Sequence, residues 1–221
     1  MNLLPSPLLV VTNRHQARAP LLEVLASIGA AGGRWFWFRE KDLDRDARRT
    51  LAIETVRVVH GFGGFLTVGS DVALAAAIGA DGVHVSTPTL AAAARRSLGT
   101  KALIGVSAHC TEDVQSARDA GADYVTLSPI FSTWSKPGYG PALGVEGIKE
   151  AVCHRLPVIA LAGITPERAS ACCSAGAAGV AVMGDMMRLE EPNEVRPLLR
   201  DYMRALDGAR LADPSPLHSP S

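Results

Sequence analysis

Three copies of one short motif restrict this chain more than any other feature. GADGVHV (79–85), GADYVTL (121–127) and GAAGVAV (176–182) each place a glycine at the end of an amphipathic segment and run on into a short apolar stretch. A glycine in that place closes a helix in the left-handed conformation. The continuous apolar run after it suits a strand buried on both faces. The repeated unit is therefore a turn from helix into parallel strand.

The same alternation extends along the chain. Strands are expected at 8–11, 34–38, 65–68, 82–85, 102–106, 124–127, 158–161 and 180–183. Helices are expected at 20–28, 42–59, 71–78, 88–98, 111–120, 145–154, 166–175 and 194–206. Eight strand–helix units predict an α/β fold, a closed (βα)8 TIM barrel on the small side for that architecture. An open doubly wound sheet is the alternative, and repetition of one turn type favours the barrel. Residues 1–206 are read as one barrel domain, and 207–221, rich in Pro, Ser and Ala, as a disordered C-terminal tail.

Charge narrows the partners. With 22 basic and 22 acidic side chains the net charge is zero, which argues against general nucleic-acid binding and against a polybasic membrane surface. A local cationic pocket is still compatible with it. No apolar stretch approaches the roughly 20 residues needed to span a bilayer. The segment MNLLPSPLLVVTNR has no basic stretch before its apolar run and no cleavage-like site, so no signal peptide is expected. Cys110, Cys153, Cys172 and Cys173 lack metal-ligand spacing, and a reduced cytoplasmic protein is the expectation.

In a barrel the chemistry sits at the C-terminal ends of the strands. Strand two is followed by Arg39, Glu40 and Lys41. Arg39 and Lys41 are two apart and leave the strand on the same side. With Lys136 they would surround a diphosphate, Arg39 gripping oxygens bidentately and the lysines acting as point charges. Pairing of this segment internally, or with the acidic DLDRD that follows, is the alternative. After strand six comes a loop broken by Pro129, Pro137, Pro141, Gly138, Gly140 and Gly144, carrying Ser132, Thr133, Ser135 and Lys136. Hydroxyls and one ammonium on a stiffened loop suit an anion, with phosphate the commonest candidate. A plain surface connection would read the same way. AGIT (162–165) and MGD (183–185) end strands seven and eight, where barrels frequently bind phosphate through backbone amides. Thr165 before Pro166 also reads as a helix cap. His109, beside Ser107 after strand five, is an acid–base candidate. His84, within a strand, is read as packed or hydrogen-bonded, and the rings of Trp35 to Phe38 as core or barrel wall.

Six motifs in order and spacing, REKDL, GADGVHV, IGVSAH, GADYVTLSPIFSTWSKPG, ALAGIT and GVAVMGD, resemble the thiamine phosphate synthase family, which includes the sister group of thiazole tautomerases. The likeness covers nearly all of residues 8–206. It implies an enzyme joining hydroxymethylpyrimidine diphosphate to thiazole phosphate, with magnesium assisting departure of diphosphate. By resemblance Arg39, Lys41 and Lys136 match diphosphate-binding positions and Ser107 a residue contacting the pyrimidine. Thr133, Trp134 and Ser135 match the thiazole-phosphate loop, as do Gly163, Met183 and Gly184. Arg39, Ser107, His109 and Lys136 are the residues expected to act catalytically.

The chain also departs from the family pattern. Trp37 stands where the family has glutamine. The family's Asn-Asp pair after strand three falls on Gly69 and Ser70, or with one gap on Ser70 and Asp71, which makes Asp71 the expected Mg2+ ligand. The second magnesium aspartate falls on Thr89. Hard cations prefer carboxylate oxygen, so a weakened magnesium site is expected. A tautomerase using His109 to move a proton, and a non-catalytic thiazole-phosphate-binding regulator, are the alternatives; the three retained cations favour the synthase.

Overall fold

The apolar runs become eight short parallel strands: β1 (Leu8–Val11), β2 (Trp35–Phe38), β3 (Phe65–Gly69), β4 (Gly82–Val85), β5 (Leu103–Ala108), β6 (Tyr124–Leu127), β7 (Val158–Leu161) and β8 (Gly179–Val182). Each pairs with its neighbour in sequence, and β8 pairs with β1, closing the barrel. The computed structural model describes residues 3–132, 141–189 and 192–212, with residues 192 and 209–212 through the backbone alone.

Between the strands run α1 (Leu21–Ala31), α2 (Arg45–Gly61), α3 (Val72–Ile78), α4 (Pro88–Leu98), α5 (Thr111–Asp119), α6 (Gly144–Val152) and α7 (Pro166–Ser174). A short α8 (Gly184–Met187) and a long α9 (Pro192–Ala212) follow β8. The (βα)8 expectation therefore holds. Many boundaries shift by one to three residues, and three differences matter more. Strand β5 runs to Ala108, so Ser107 stands in the strand itself; α8 has no periodic signal in four residues; and α9 enters the segment expected to be a tail, packing on α7 and α1. Residues 213–221 of that tail lie outside the described residues.

Alternation along each strand separates two apolar layers. Leu9, Val11, Trp35, Trp37, Leu103, Tyr124, Ile159 and Ala181 pack together inside the barrel. Leu8, Val10, Phe36 and Phe38 join the larger cluster under the helices. The WFWF run is thus split by parity, indoles inward and phenyl rings outward. Trp35 meets Tyr124 edge to face at 4.8 Å between centroids, an arrangement aromatic quadrupoles favour. Gly105 lies opposite: a Cβ there would overlap the Tyr124 ring and the His84 imidazole.

The recurring turn has a mechanical reason. Gly79 and Gly121 have φ of 68° and 80°, a left-handed conformation costly for other residues. The aspartate two residues on then fastens the preceding strand. Asp81 accepts from the Leu66 N–H and Asp123 from the Ile104 N–H, both at 2.8 Å. Asp81 also meets His60 and Asp123 meets Arg95, tying the bottom of the barrel to α2 and α4. Among the described residues no helix is long and apolar enough to cross a membrane, and none of the four cysteines is in a disulfide.

Candidate active site

At the C-terminal rim the loops after β1 and β2 sort their charges. Thr12 Oγ1 accepts from the Arg39 N–H at 3.0 Å, fixing the end of β2. Glu40, 2% exposed, accepts from the Arg14 backbone N–H and from Arg14 Nη1. Asp42 takes both terminal nitrogens of Arg14 and His15 Nε2. The two acids flanking Lys41 are therefore held by side chains of the β1 loop, Arg14 and His15. Arg39 lies with its guanidinium carbon 6.0 Å from the Trp37 ring, and both Arg39 and Lys41 are close enough to repel a proton from His84.

His84 is the residue on which this side of the mouth converges. It projects inward from β4, wholly buried, with its ring centroid 3.9 Å from Trp37. Nδ1 lies 3.1 Å from Tyr124 Oη; Nε2 lies 3.1 Å from Ser107 Oγ and 3.2 Å from Thr126 Oγ1. Both nitrogens are engaged whichever carries the proton. Burial first, then Lys41 and Arg39, push its pKa down to about 3, so the ring is neutral at physiological pH. A neutral imidazole holds the Ser107 hydroxyl beside two cations without adding a third charge. From the sequence His84 reads as a packed or hydrogen-bonded strand residue with no part in the site; the parity that turns it into the mouth is fixed by the closed barrel and not by periodicity.

His109 follows β5. Its Nδ1 is 2.8 Å from the Ser128 carbonyl oxygen, which only accepts, so Nδ1 carries the proton and a neutral ring has its lone pair on Nε2. The His109 N–H donates to Asp113 at 2.8 Å, joining this residue to the first turn of α5.

Across the rim, the loops after β7 and β8 approach each other. Tyr202 of α9, fully buried, donates from or shares its hydroxyl between the Ile164 carbonyl at 3.0 Å and Asp185 Oδ2 at 2.6 Å. Those acceptors directly follow Gly163 and Gly184, so one hydroxyl ties the two glycine loops together. Burial and then the Asp185 carboxylate hold the Tyr202 phenol well above its ordinary pKa. Gly163 has φ of 65°, and a Cβ there would come within 2.8 Å of Phe131 Cβ and of the Ser132 carbonyl. Only glycine fits. Ile130 and Phe131 donate to the Leu161 and Ala162 carbonyls, laying the start of the β6 loop along β7. Arg168 reaches the Gly163 carbonyl at 2.7 Å and the Phe131 ring at 4.8 Å; Arg188 lies over Gly184. Met183 receives a weak bond from Asn13 at 3.7 Å. Tyr202 and the two arginines are absent from the sequence expectations: Tyr202 reaches both loops from the final helix, while Arg168 and Arg188 sit within five residues of the glycines they cover and carry no motif of their own.

Arg39, Lys41 and Ser107 are thus gathered around His84, and Gly163, Met183 and Gly184 form the opposite loops. Thr133, Trp134, Ser135 and Lys136 lie outside the described residues. Asp71, the expected magnesium ligand, has another occupation. Its Oδ1 caps α3 through the Leu74 N–H at 2.8 Å, and its Oδ2 takes Arg48 Nη1 at 3.0 Å. Thr89 brings no carboxylate, and the described residues contain no group of three His, Cys, Asp or Glu able to hold an ion. The described residues do not fit a protein-held magnesium.

The family model described as thiamine monophosphate synthase matches residues 8–186. The chain belongs to the thiamine monophosphate synthase family. A thiamine biosynthesis bifunctional protein ThiM/ThiE of Symbiobacterium thermophilum is 39% identical over 188 residues, 84% of this chain. The chain spans 39% of the length of that relative. A putative thiamine-phosphate synthase of Geobacter sulfurreducens is 37% identical over 85% of this chain and 89% of its own length. The structure of thiamine phosphate pyrophosphorylase from Pyrococcus furiosus superposes with a TM-score of 0.78 at 23% identity, covering 91% of this chain and 96% of that one. At that identity the superposition speaks for the barrel alone.

Proposed function

We propose that this family member condenses hydroxymethylpyrimidine diphosphate with thiazole phosphate to give thiamine phosphate and diphosphate. The observation carrying this reading is the presence of two separate anion-suited regions on one rim. One is the Arg39–Lys41 pair above neutral His84 and Ser107; the other is the pair of glycine loops tied by Tyr202. A reaction between two phosphorylated partners needs both. A tautomerase acting on one phosphate ester has no use for the first.

In this reading the bond from the pyrimidine methylene carbon to the diphosphate oxygen breaks, and its electron pair departs with the diphosphate. The thiazole nitrogen donates its lone pair to that carbon, forming the new C–N bond. Charge grows on the leaving oxygens, so preorganised cations there stabilise the transition state more than the ground state. Arg39 and Lys41 take this role, joined by Lys136 from the family match. Ser107, steadied by His84, holds the pyrimidine, while the loops of Gly163 and Gly184 hold the thiazole phosphate. The barrel wall of Trp37 and Tyr124 keeps water from the electron-poor carbon.

Purified protein supplied with both substrates and magnesium is expected to form thiamine phosphate, detected by mass spectrometry. Arg39→Ala is expected to lower kcat/KM by about 100-fold or more, and Lys136→Ala to abolish turnover. Absence of product at every magnesium concentration would sink the synthase reading.

A further inference from the structure

The oxygens at the end of β3, where a divalent cation would seek ligands, are already bound to an arginine. Arg48, from the first turn of α2, donates Nη1 to Asp71 Oδ2 at 3.0 Å and Nη2 to the Gly69 carbonyl at 2.5 Å. Only 14% of its side chain is exposed, and its guanidinium carbon lies 5.9 Å from the Phe38 ring. Nε is buried with no hydrogen-bond partner among the described residues, so the two outer nitrogens carry the anchoring. Asp71 Oδ1 is spent on the α3 cap. The neighbouring rim segment brings no acid: Thr87 caps α4, Pro88 begins it, and Thr89 follows. Glu40 and Asp42 are held by Arg14 and His15. The free oxygen of Asp71 is therefore matched by the guanidinium of Arg48. A hard cation needs several oxygens and favours carboxylates. Here it would have to displace a helix cap and a largely covered guanidinium.

We infer that Arg48 has replaced a protein-held metal: the chain has no divalent-cation site of its own at β3, and a divalent cation enters only as the counter-ion of a bound diphosphate. Arg48 neutralises Asp71 and closes the Gly69 carbonyl, leaving the diphosphate oxygens as the cation's ligands. The diphosphate half of this inference rests on the synthase reading, whereas the loss of the protein-held site does not.

Mn2+ serves as the probe, with free aqueous Mn2+ followed by electron paramagnetic resonance in the presence of the full chain. The wild-type protein is expected to take up no Mn2+ alone and to bind Mn2+ together with inorganic diphosphate. Asp71→Asn keeps an N-capping side chain and is expected to co-bind Mn2+ and diphosphate as the wild type does. Arg48→Gln releases the Asp71 carboxylate, and Mn2+ affinity of the protein alone is expected to rise by about tenfold or more. Mn2+ held by the wild-type protein without diphosphate, and lost in Asp71→Asn, would overturn the inference. An Arg48→Gln protein that folds and binds no more Mn2+ than the wild type would overturn the role given to Arg48. Failure of diphosphate to bind with or without Mn2+ counts against the synthase reading and overturns the counter-ion half, while the protein-alone measurement decides the other half by itself.

Discussion

His84 should make this protein acid-labile in a way that can be isolated from its many carboxylates. The unfolded ring titrates near its ordinary value of 6.5, and burial beside Lys41 and Arg39 pushes the folded ring down to about 3. Between those values the unfolded chain binds a proton that the folded chain refuses, so stability rises with pH across the window. The contribution is fully present above 6.5 and is lost as pH falls towards 3. Integrating the two titrations gives a loss of about 2 kcal/mol between roughly pH 7 and pH 5, growing to about 3 kcal/mol near pH 4. Urea unfolding of the wild type and of His84→Gln at these pH values measures it: the variant should lack that part of the slope, because its amide does not titrate. Carboxylates such as Asp42, held low by Arg14 and His15, contribute equally to both proteins and cancel. Equal slopes in wild type and variant would refute the reasoning. If His84→Gln does not fold, nitrogen-15 NMR of the wild-type imidazole gives the same test directly. A ring that gains its proton between about pH 6 and pH 7 would refute a buried neutral His84 as surely as the mutant.

Other expectations concern the packing that supports the two anion regions. Tyr202→Phe removes the hydroxyl shared by the Ile164 carbonyl and Asp185; a destabilisation of about 2 kcal/mol is expected by chemical denaturation. Its KM for thiazole phosphate should rise several-fold at nearly constant kcat, and unaltered stability with unaltered KM would count against the loop tie. Gly105→Ala drives a methyl group into Tyr124 and His84 and is expected to cost about 3 kcal/mol. For a chain of this size that is a fall in Tm of about 6–12 °C, and calorimetry showing no change would mean the inner layer is looser than its contacts.

The barrel was legible because its determinants are local: a left-handed glycine, a short apolar run and an amphipathic helix, repeated. Periodicity could separate the faces of WFWF but could not say which parity pointed inward, and that choice placed Trp37 and His84 in the mouth. The cation pair at Arg39 and Lys41 was legible from spacing, whereas the capture of Glu40 and Asp42 by Arg14 and His15 joins two loops and leaves no local pattern. Tyr202 is more remote still, reaching two loops from the final helix. Asp71 shows the difference most sharply. A carboxylate at the start of a helix, after strand three of this family, invites both a capping role and a metal role, and one pair of oxygens cannot serve both when an arginine takes the second. The deciding residue, Arg48, lies 23 positions upstream in another helix. Neither helical periodicity nor the family motifs connect it to β3. A motif can indicate where an acid stands on the rim; what that acid is free to bind depends on the neighbour the fold brings to it.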